Sequence, residues 1–251
     1  EEFAPLGLQE SYDNAGLAVG RPDADVHKAL LAVDVTEEVI EEAAAEGCDI
    51  IITHHPVIFH PLKRLNSASY TERCVEQAVR RGIALYAAHT NLDSTPEGMS
   101  WRVGHMLGLE SMRVLEPAAA GGGAGFGVVG ELPTEEPSTE FMRHVMRRFG
   151  VQALRHGDIV RPTVRRVAIC TGAGGSLIDE ALAAEADIYL TADLRYNDFM
   201  RHEGRMILVD MGHFESEYCA IEILFDILSK KLPIFAIRKS VRSRNPVNYM
   251  V

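Results

Sequence analysis

Three short clusters in this chain combine imidazoles and carboxylates at spacings that suit metal ligation. Thr53-His54-His55-Pro56 ends an apolar run with two adjacent histidines. Neighbouring side chains on an ideal strand point to opposite faces, so both rings can serve one centre only if the strand breaks at this point, and Pro56 favours that break. The alternative is a pair of partly exposed loop histidines. His89-Thr-Asn-Leu-Asp93 follows a second apolar run and places an imidazole four residues before a carboxylate. Asp93 is either a ligand or a turn residue, because Asp93-Ser-Thr-Pro96 is also turn chemistry. Asp210-Met-Gly-His213-Phe-Glu-Ser-Glu217 is the third cluster. A helix starting near His213 sets His213 and Glu217 one turn apart on one face, with Glu215 pointing away into solvent.

His54, His55, Asp93, His213 and Glu217 together form a donor set suited to zinc, iron, manganese or nickel, with two divalent ions as the expected cofactors. Glu217 can bridge the two through its pair of oxygens, as in two-metal sites with ions about 3.5–4 Å apart. Five protein ligands leave coordination positions for water and substrate. His89 lies outside these five. It is either a catalytic proton carrier, a histidine that orients a ligand, or a structural histidine held by hydrogen bonds.

The elements that must position these residues read as an α/β pattern. Lys28–Val35 is a buried strand, Thr36 caps a helix running to Ala45, and Cys48–Thr53 is a second strand. Arg166–Thr171, a helix from Ser176 to Ala186 with Ser176 as its cap, and Asp187–Thr191 repeat that unit. Gly47-Cys-Asp-Ile-Ile-Ile-Thr53 aligns with Glu185-Ala-Asp-Ile-Tyr-Leu-Thr191 without a gap, at an offset of 138 residues. Each half continues into a helix (about Tyr70–Arg81 and Asn197–Glu203) and a further strand (Ile83–Ala88 and Met206–Asp210). In parallel sheets ligands collect beyond the carboxyl ends of strands, where all three clusters fall. The expected division is a first half over 1–110, a connector with one helix (about Ser138–Phe149) over 111–165, and a second half over 166–251. The two halves are expected to face each other across the metal crevice.

Two glycine-rich stretches are weaker signals. Gly125-Phe-Gly-Val-Val-Gly130 has the G-x-G-x-x-G spacing, but lacks a preceding strand and is followed by Pro133 and Pro137, so a dinucleotide site is rejected. Thr171-Gly-Ala-Gly-Gly-Ser176 is either an anion-receiving helix start or a plain tight turn.

At 251 residues and 47% hydrophobic composition the chain can bury a sizeable core. The formal charge of -11 argues against broad nucleic-acid binding, and a polyanionic substrate would need local charge such as Lys63, Arg64 and Arg195. No apolar run is long enough for a membrane span and no signal peptide is evident, so a cytoplasmic address is expected. Cys48, Cys74, Cys170 and Cys219 are scattered and read as buried free thiols.

These motifs, with Tyr12-Asp-Asn-Ala-Gly-Leu17, Thr191-Ala-Asp193 and Tyr196-Asn-Asp198, run in an order that resembles the NIF-three-like family, proteins labelled type 2 GTP cyclohydrolase I. The resemblance implies a two-domain α/β fold, a dinuclear metal centre on the same five residues, and a homohexameric ring. It implies a hydrolase in which a metal-activated water attacks a purine nucleotide ring, with GTP as substrate. A two-metal phosphoester hydrolase and a non-enzymatic metal-binding scaffold or regulatory protein are the rival readings. Ala192 and Asn197 depart from the family pattern, which commonly has glycine and histidine there, and no inserted domain is expected.

Overall fold

The structure is a computed structural model and describes residues 1–119 and 121–250. Ala120, inside the expected connector, and Val251 lie outside the described residues. In chain order the first elements are β1 (Gly16–Val19), β2 (Lys28–Ala32), α1 (Glu37–Glu46), β3 (Ile50–Thr53), α2 (Tyr70–Arg81), β4 (Ala84–Ala87) and α3 (Thr90–Ser94). Next come α4 (Met99–Met106), β5 (Glu110–Pro117), β6 (Gly125–Pro137), α5 (Ser138–Phe149), β7 (Arg155–His156) and β8 (Thr163–Ala173). The last are α6 (Ile178–Ala183), β9 (Ile188–Ala192), β10 (Ile207–Asp210), α7 (His213–Glu217), α8 (Cys219–Lys231) and β11 (Ala236–Lys239).

Two compact units result. The first is Glu1–Leu92 with Ala220–Arg244; the second runs from Asp93 to Cys219 and takes in the segment from Asn245. The first unit's sheet has the order β1-β4-β3-β2-β11, parallel except for β1. Its apolar strands need cover, and α1 and α2 supply it with Val39, Ile40, Ala43, Cys74 and Ala78 packed on Leu30, Ile51 and Leu85. Both helices begin at hydroxyl caps: Thr36 Oγ1 accepts from the Val39 amide and Ser69 Oγ from the Glu72 amide. Both end at a left-handed glycine, Gly47 and Gly82.

The second unit's sheet has the order β5-β6-β8-β9-β10-β7, with β8, β9 and β10 parallel and the rest antiparallel. Ile178, Ala181 and Leu182 of α6 pack with Ala168, Tyr189 and Leu208.

The duplication extends to the hydrogen bonds. Asp49 accepts from the amides of His27 and Lys28, and Asp187 from those of Arg165 and Arg166. Each aspartate thereby ties the start of one parallel strand to its neighbour. Gly47 and Glu185, equivalent by the same offset, both adopt positive φ, 66° and 56°.

Several elements differ from the sequence expectation. The segment 111–165 is not a connector with one helix, because β5 and β6 form an antiparallel pair in the second unit's sheet. Glycines disguise β6: a Cβ at Gly125 would lie 2.2 Å from the Glu116 carbonyl oxygen, so the close strand crossing excludes a side chain. Pro133 sits where β6 leaves register with β8, between Glu131 and Glu136, and no ladder amide is needed there. The chain after Cys219 does not stay with the second half; α8 and β11 return to the first unit, where β11 pairs with β2. Ser176 caps nothing, since Gly175–Leu177 is a 3-10 turn and α6 begins at Ile178 without a side-chain cap. The expected helix over 197–203 is a 3-10 segment, Asp198–His202.

Candidate metal centre

The first unit gathers three imidazoles. β3 ends at Thr53, so His54 and His55 occupy a bend, as the Pro56 argument requires, and their ring centroids lie 4.9 Å apart. His89 follows β4, and its ring is 5.3 Å from that of His54 and 5.5 Å from that of His55. One nitrogen from each of the three lies within 4.8 Å of the others.

The second unit gathers two carboxylates and an imidazole. His213 and Glu217 share α7, with Nε2 of the histidine 3.0 Å from a Glu217 oxygen. Asp93, on α3, offers an oxygen within 4.8 Å of one from Glu217. Both carboxylates act on the same two thiols: burial pushes Cys170 and Cys219 up to about 12, and Asp93 and Glu217 add to each. The four cysteines are buried and free.

All four histidines are held through Nδ1. His54 Nδ1 lies 2.8 Å from the Ala88 carbonyl oxygen, His55 Nδ1 2.7 Å from Asp34, His89 Nδ1 2.7 Å from Asp13, and His213 Nδ1 2.8 Å from Asp193. A carbonyl or ionised carboxylate can only accept, so each Nδ1 carries the proton and donates it. In the neutral ring Nε2 is then the lone-pair nitrogen, the arrangement that metal-ligating histidines adopt. Sequence reasoning missed the three aspartates as orienting groups. Asp13 is held most firmly, accepting also from the Thr90 amide at 3.1 Å and from the Thr90 hydroxyl. Burial works to raise the Asp13 carboxyl, but the bonds from His89 and Thr90 keep it below the usual carboxylate range.

Charge differs between the clusters. Burial and the neighbouring His54 lower the pKa of His89, against the opposing pull of Asp13. His213 is also desolvated, yet Glu217 and Asp193 overcome that and raise it to about 9. A single cation between Nε2 and the Glu217 carboxylate, whether a proton or a metal ion, reconciles that pair.

Gly172, at the end of β8, makes room for the second cluster. A Cβ there would lie 2.2 Å from Glu217 Oε1 and 3.5 Å from His213 Nε2. Gly174 packs as closely on Thr191 and Tyr189, whose hydroxyl donates to its carbonyl at 2.8 Å. The glycine run is thus a close-packing turn beside His213 and Glu217. Glu215 is not simply solvated; it accepts from Asn245 Nδ2 at 2.9 Å.

Two α/β units whose strand ends carry oriented histidines and carboxylates define a class of protein with groups that could hold a metal ion. The chain belongs to the Duf34/NIF3 (NGG1p interacting factor 3) family, whose match covers residues 1–246. It is 33% identical to a protein named GTP cyclohydrolase 1 type 2 homolog from Clostridium perfringens, over 87% of this chain and 84% of that one. A protein of the same name from Lactococcus lactis is 34% identical over 98% of this chain and 95% of its own length. The crystal structure of a Bacillus cereus protein related to NIF3 has a TM-score of 0.90 at 23% identity, covering 100% of this chain and 96% of that chain, and so shares the fold. Among the described residues no helix is long and apolar enough to cross a membrane.

Proposed function

We propose that this protein is a dinuclear metal-dependent hydrolase of the GTP cyclohydrolase 1 type 2 kind, acting on the ring of a purine nucleotide. The ligands in this reading are His54, His55, Asp93, His213 and Glu217. The observation that carries it is the common Nδ1 anchoring of the imidazoles, which sets each Nε2 as a donor before any metal arrives. The donor set fits zinc, iron, manganese or nickel, and such ions would supply Lewis acidity and an acidified water at neutral pH.

The chain's own residues divide the remaining work. Asp34 and Asp193 orient His55 and His213 and raise their basicity as ligands. His89, whose imidazolium is disfavoured by burial, lies beside His54 and His55 and in this reading takes a proton at Nε2. Asp13 stabilises the imidazolium that results. A homohexamer, as the family resemblance implies, is part of the same proposal.

The test is formate release and formation of a pterin precursor from GTP by metal-loaded protein, beside His55→Ala and Glu217→Ala. Turnover no greater than in those variants would refute it. Hydrolysis of a phosphoester panel without formate release would assign the rival phosphoester chemistry. A metal-dependent thermal stability with no turnover of any substrate would assign a scaffold.

A further inference from the structure

Beside the histidine triad of the first unit stand two rings that folding has not put away. Tyr12 is 64% exposed and Phe59 39% exposed. Exposed aromatic side chains are ordinarily mobile and isolated, but this pair is built in. The ring centroids lie 6.4 Å apart at 61°, and Phe59 in turn lies 6.1 Å from His89 at 84°. Two clasps hold the pair. Asn14 Nδ2 donates to the Ile58 carbonyl at 2.6 Å and so ties the Tyr12 segment to the loop carrying Phe59. Asp13, with its side chain wholly buried, accepts from His89 and Thr90 and ties the same segment to the end of β4.

One tripeptide, Tyr12-Asp13-Asn14, therefore carries one ring, bonds His89 through its middle residue and ties down the loop that carries the other ring. The contacts of Phe59 with Tyr12, His60 and His89 are all tilted, at 61°, 68° and 84°. None of them is the parallel stack that a flat ligand would form. Lys63 and Arg64 lie exposed on the same loop, which gives local positive charge in a chain of net charge -11. Aromatic surface held in place and nearby cations suit a planar heteroaromatic ring with an anionic tail.

We propose that Tyr12 and Phe59 form an aromatic corner beside His54, His55 and His89, a platform on which the planar ring of the substrate stacks against the face of one ring and meets the edge of the other. This deepens the purine-hydrolase reading and rests on it for the identity of the ring. Base-on-aromatic stacking sets the expected size of the effect.

The experiment measures equilibrium binding of guanosine, adenosine, uridine and neopterin to manganese-loaded protein, with ribose 5-phosphate as a non-planar control. Tyr12→Ala and Phe59→Ala should each weaken binding of the planar ligand roughly tenfold. Tyr12→Phe should restore it, while Phe59→Leu, which fills the space without a π-face, should not. Metal content and ribose 5-phosphate binding should be the same in all variants. Ring-dependent binding of a planar ligand without GTP turnover would support the platform and refute the cyclohydrolase reading. GTP turnover with an unchanged KM in Tyr12→Ala and Phe59→Ala would overturn the platform and leave that reading standing. Failure of the metal-loaded wild-type protein to bind any of the four planar ligands would also overturn it.

Discussion

Replacing Gly172 by alanine should separate the two tasks of the β8 turn. Gly172 has φ +66°, so any L side chain there incurs the left-handed penalty of about 1–2 kcal/mol. The new Cβ would also lie 2.2 Å from Glu217 Oε1 and 3.3 Å from its Cδ. Relief by moving the backbone is blocked, because the Gly172 amide donates to Ser216 Oγ at 3.0 Å and its carbonyl accepts from Thr191 Oγ1 at 3.1 Å. Glu217, 3% exposed, must therefore swing, and it loses its 3.0 Å contact with His213. If Glu217 is a ligand, its displacement should lower metal affinity by at least the order of 10–100-fold that loss of an orienting partner costs. Urea unfolding with chelator and with saturating metal reads both effects, since the gap between the two stabilities follows the logarithm of the metal affinity. The chelator curve should fall by about 1–2 kcal/mol and the gap should narrow. Gly172→Asn, which tolerates left-handed backbone, should recover part of the first loss and none of the second. A destabilised Gly172→Ala protein with undiminished metal affinity would refute the idea that the room Gly172 leaves for Glu217 and His213 serves metal binding.

His89→Gln should abolish turnover while metal content, measured by mass spectrometry, stays at the wild-type level; a parallel loss of metal would make His89 a ligand instead. Asp34→Asn and Asp193→Asn should each reduce metal affinity on the order of 10–100-fold in chelator competition, and unchanged affinity would show that the Nδ1 contacts do not matter. The thiols give a pH signature. Burial raises Cys74 to about 11 and Cys170 and Cys219 to about 12, so their contribution to stability is complete below about 9 and is lost as pH rises from there toward those values. A thiol reagent at pH 8 should label none of these three until denaturant is added, and rapid labelling of native Cys170 would contradict the burial argument.

The ligand candidates were legible in the sequence because each sits within a few positions of a strand end, and strand ends could be read from apolar runs and from the 138-residue repeat. Thr36 as a cap and the bounds of α2 and α5 were legible for the same local reason. Asp13, Asp34 and Asp193 were not. Their histidine partners lie 76, 21 and 20 positions away, and a carboxylate paired at such a distance leaves no spacing to recognise. The offset that equates Thr53 with Thr191 also equates His55 with Asp193, a signal that could have marked the latter. β5 and β6 were hidden by composition, since glycines demanded by close strand approach and a proline at a register break look like a linker. The return of β11 was hidden because pairing between distant strands depends on topology rather than on local pattern.

That return orders the folding of the chain in time. On emerging from the ribosome the second unit has its whole sheet and α4 to α6 in one continuous stretch before α8 is made. The first unit has β1 to β4 early but cannot complete its sheet, because β2 waits for β11, and the Val33 amide waits for Ser243, 210 positions on. Until then β2 is an open, apolar edge that invites pairing with another chain. Nascent protein halted before Ala236 should therefore depend on chaperones, although most of its sequence has already been translated.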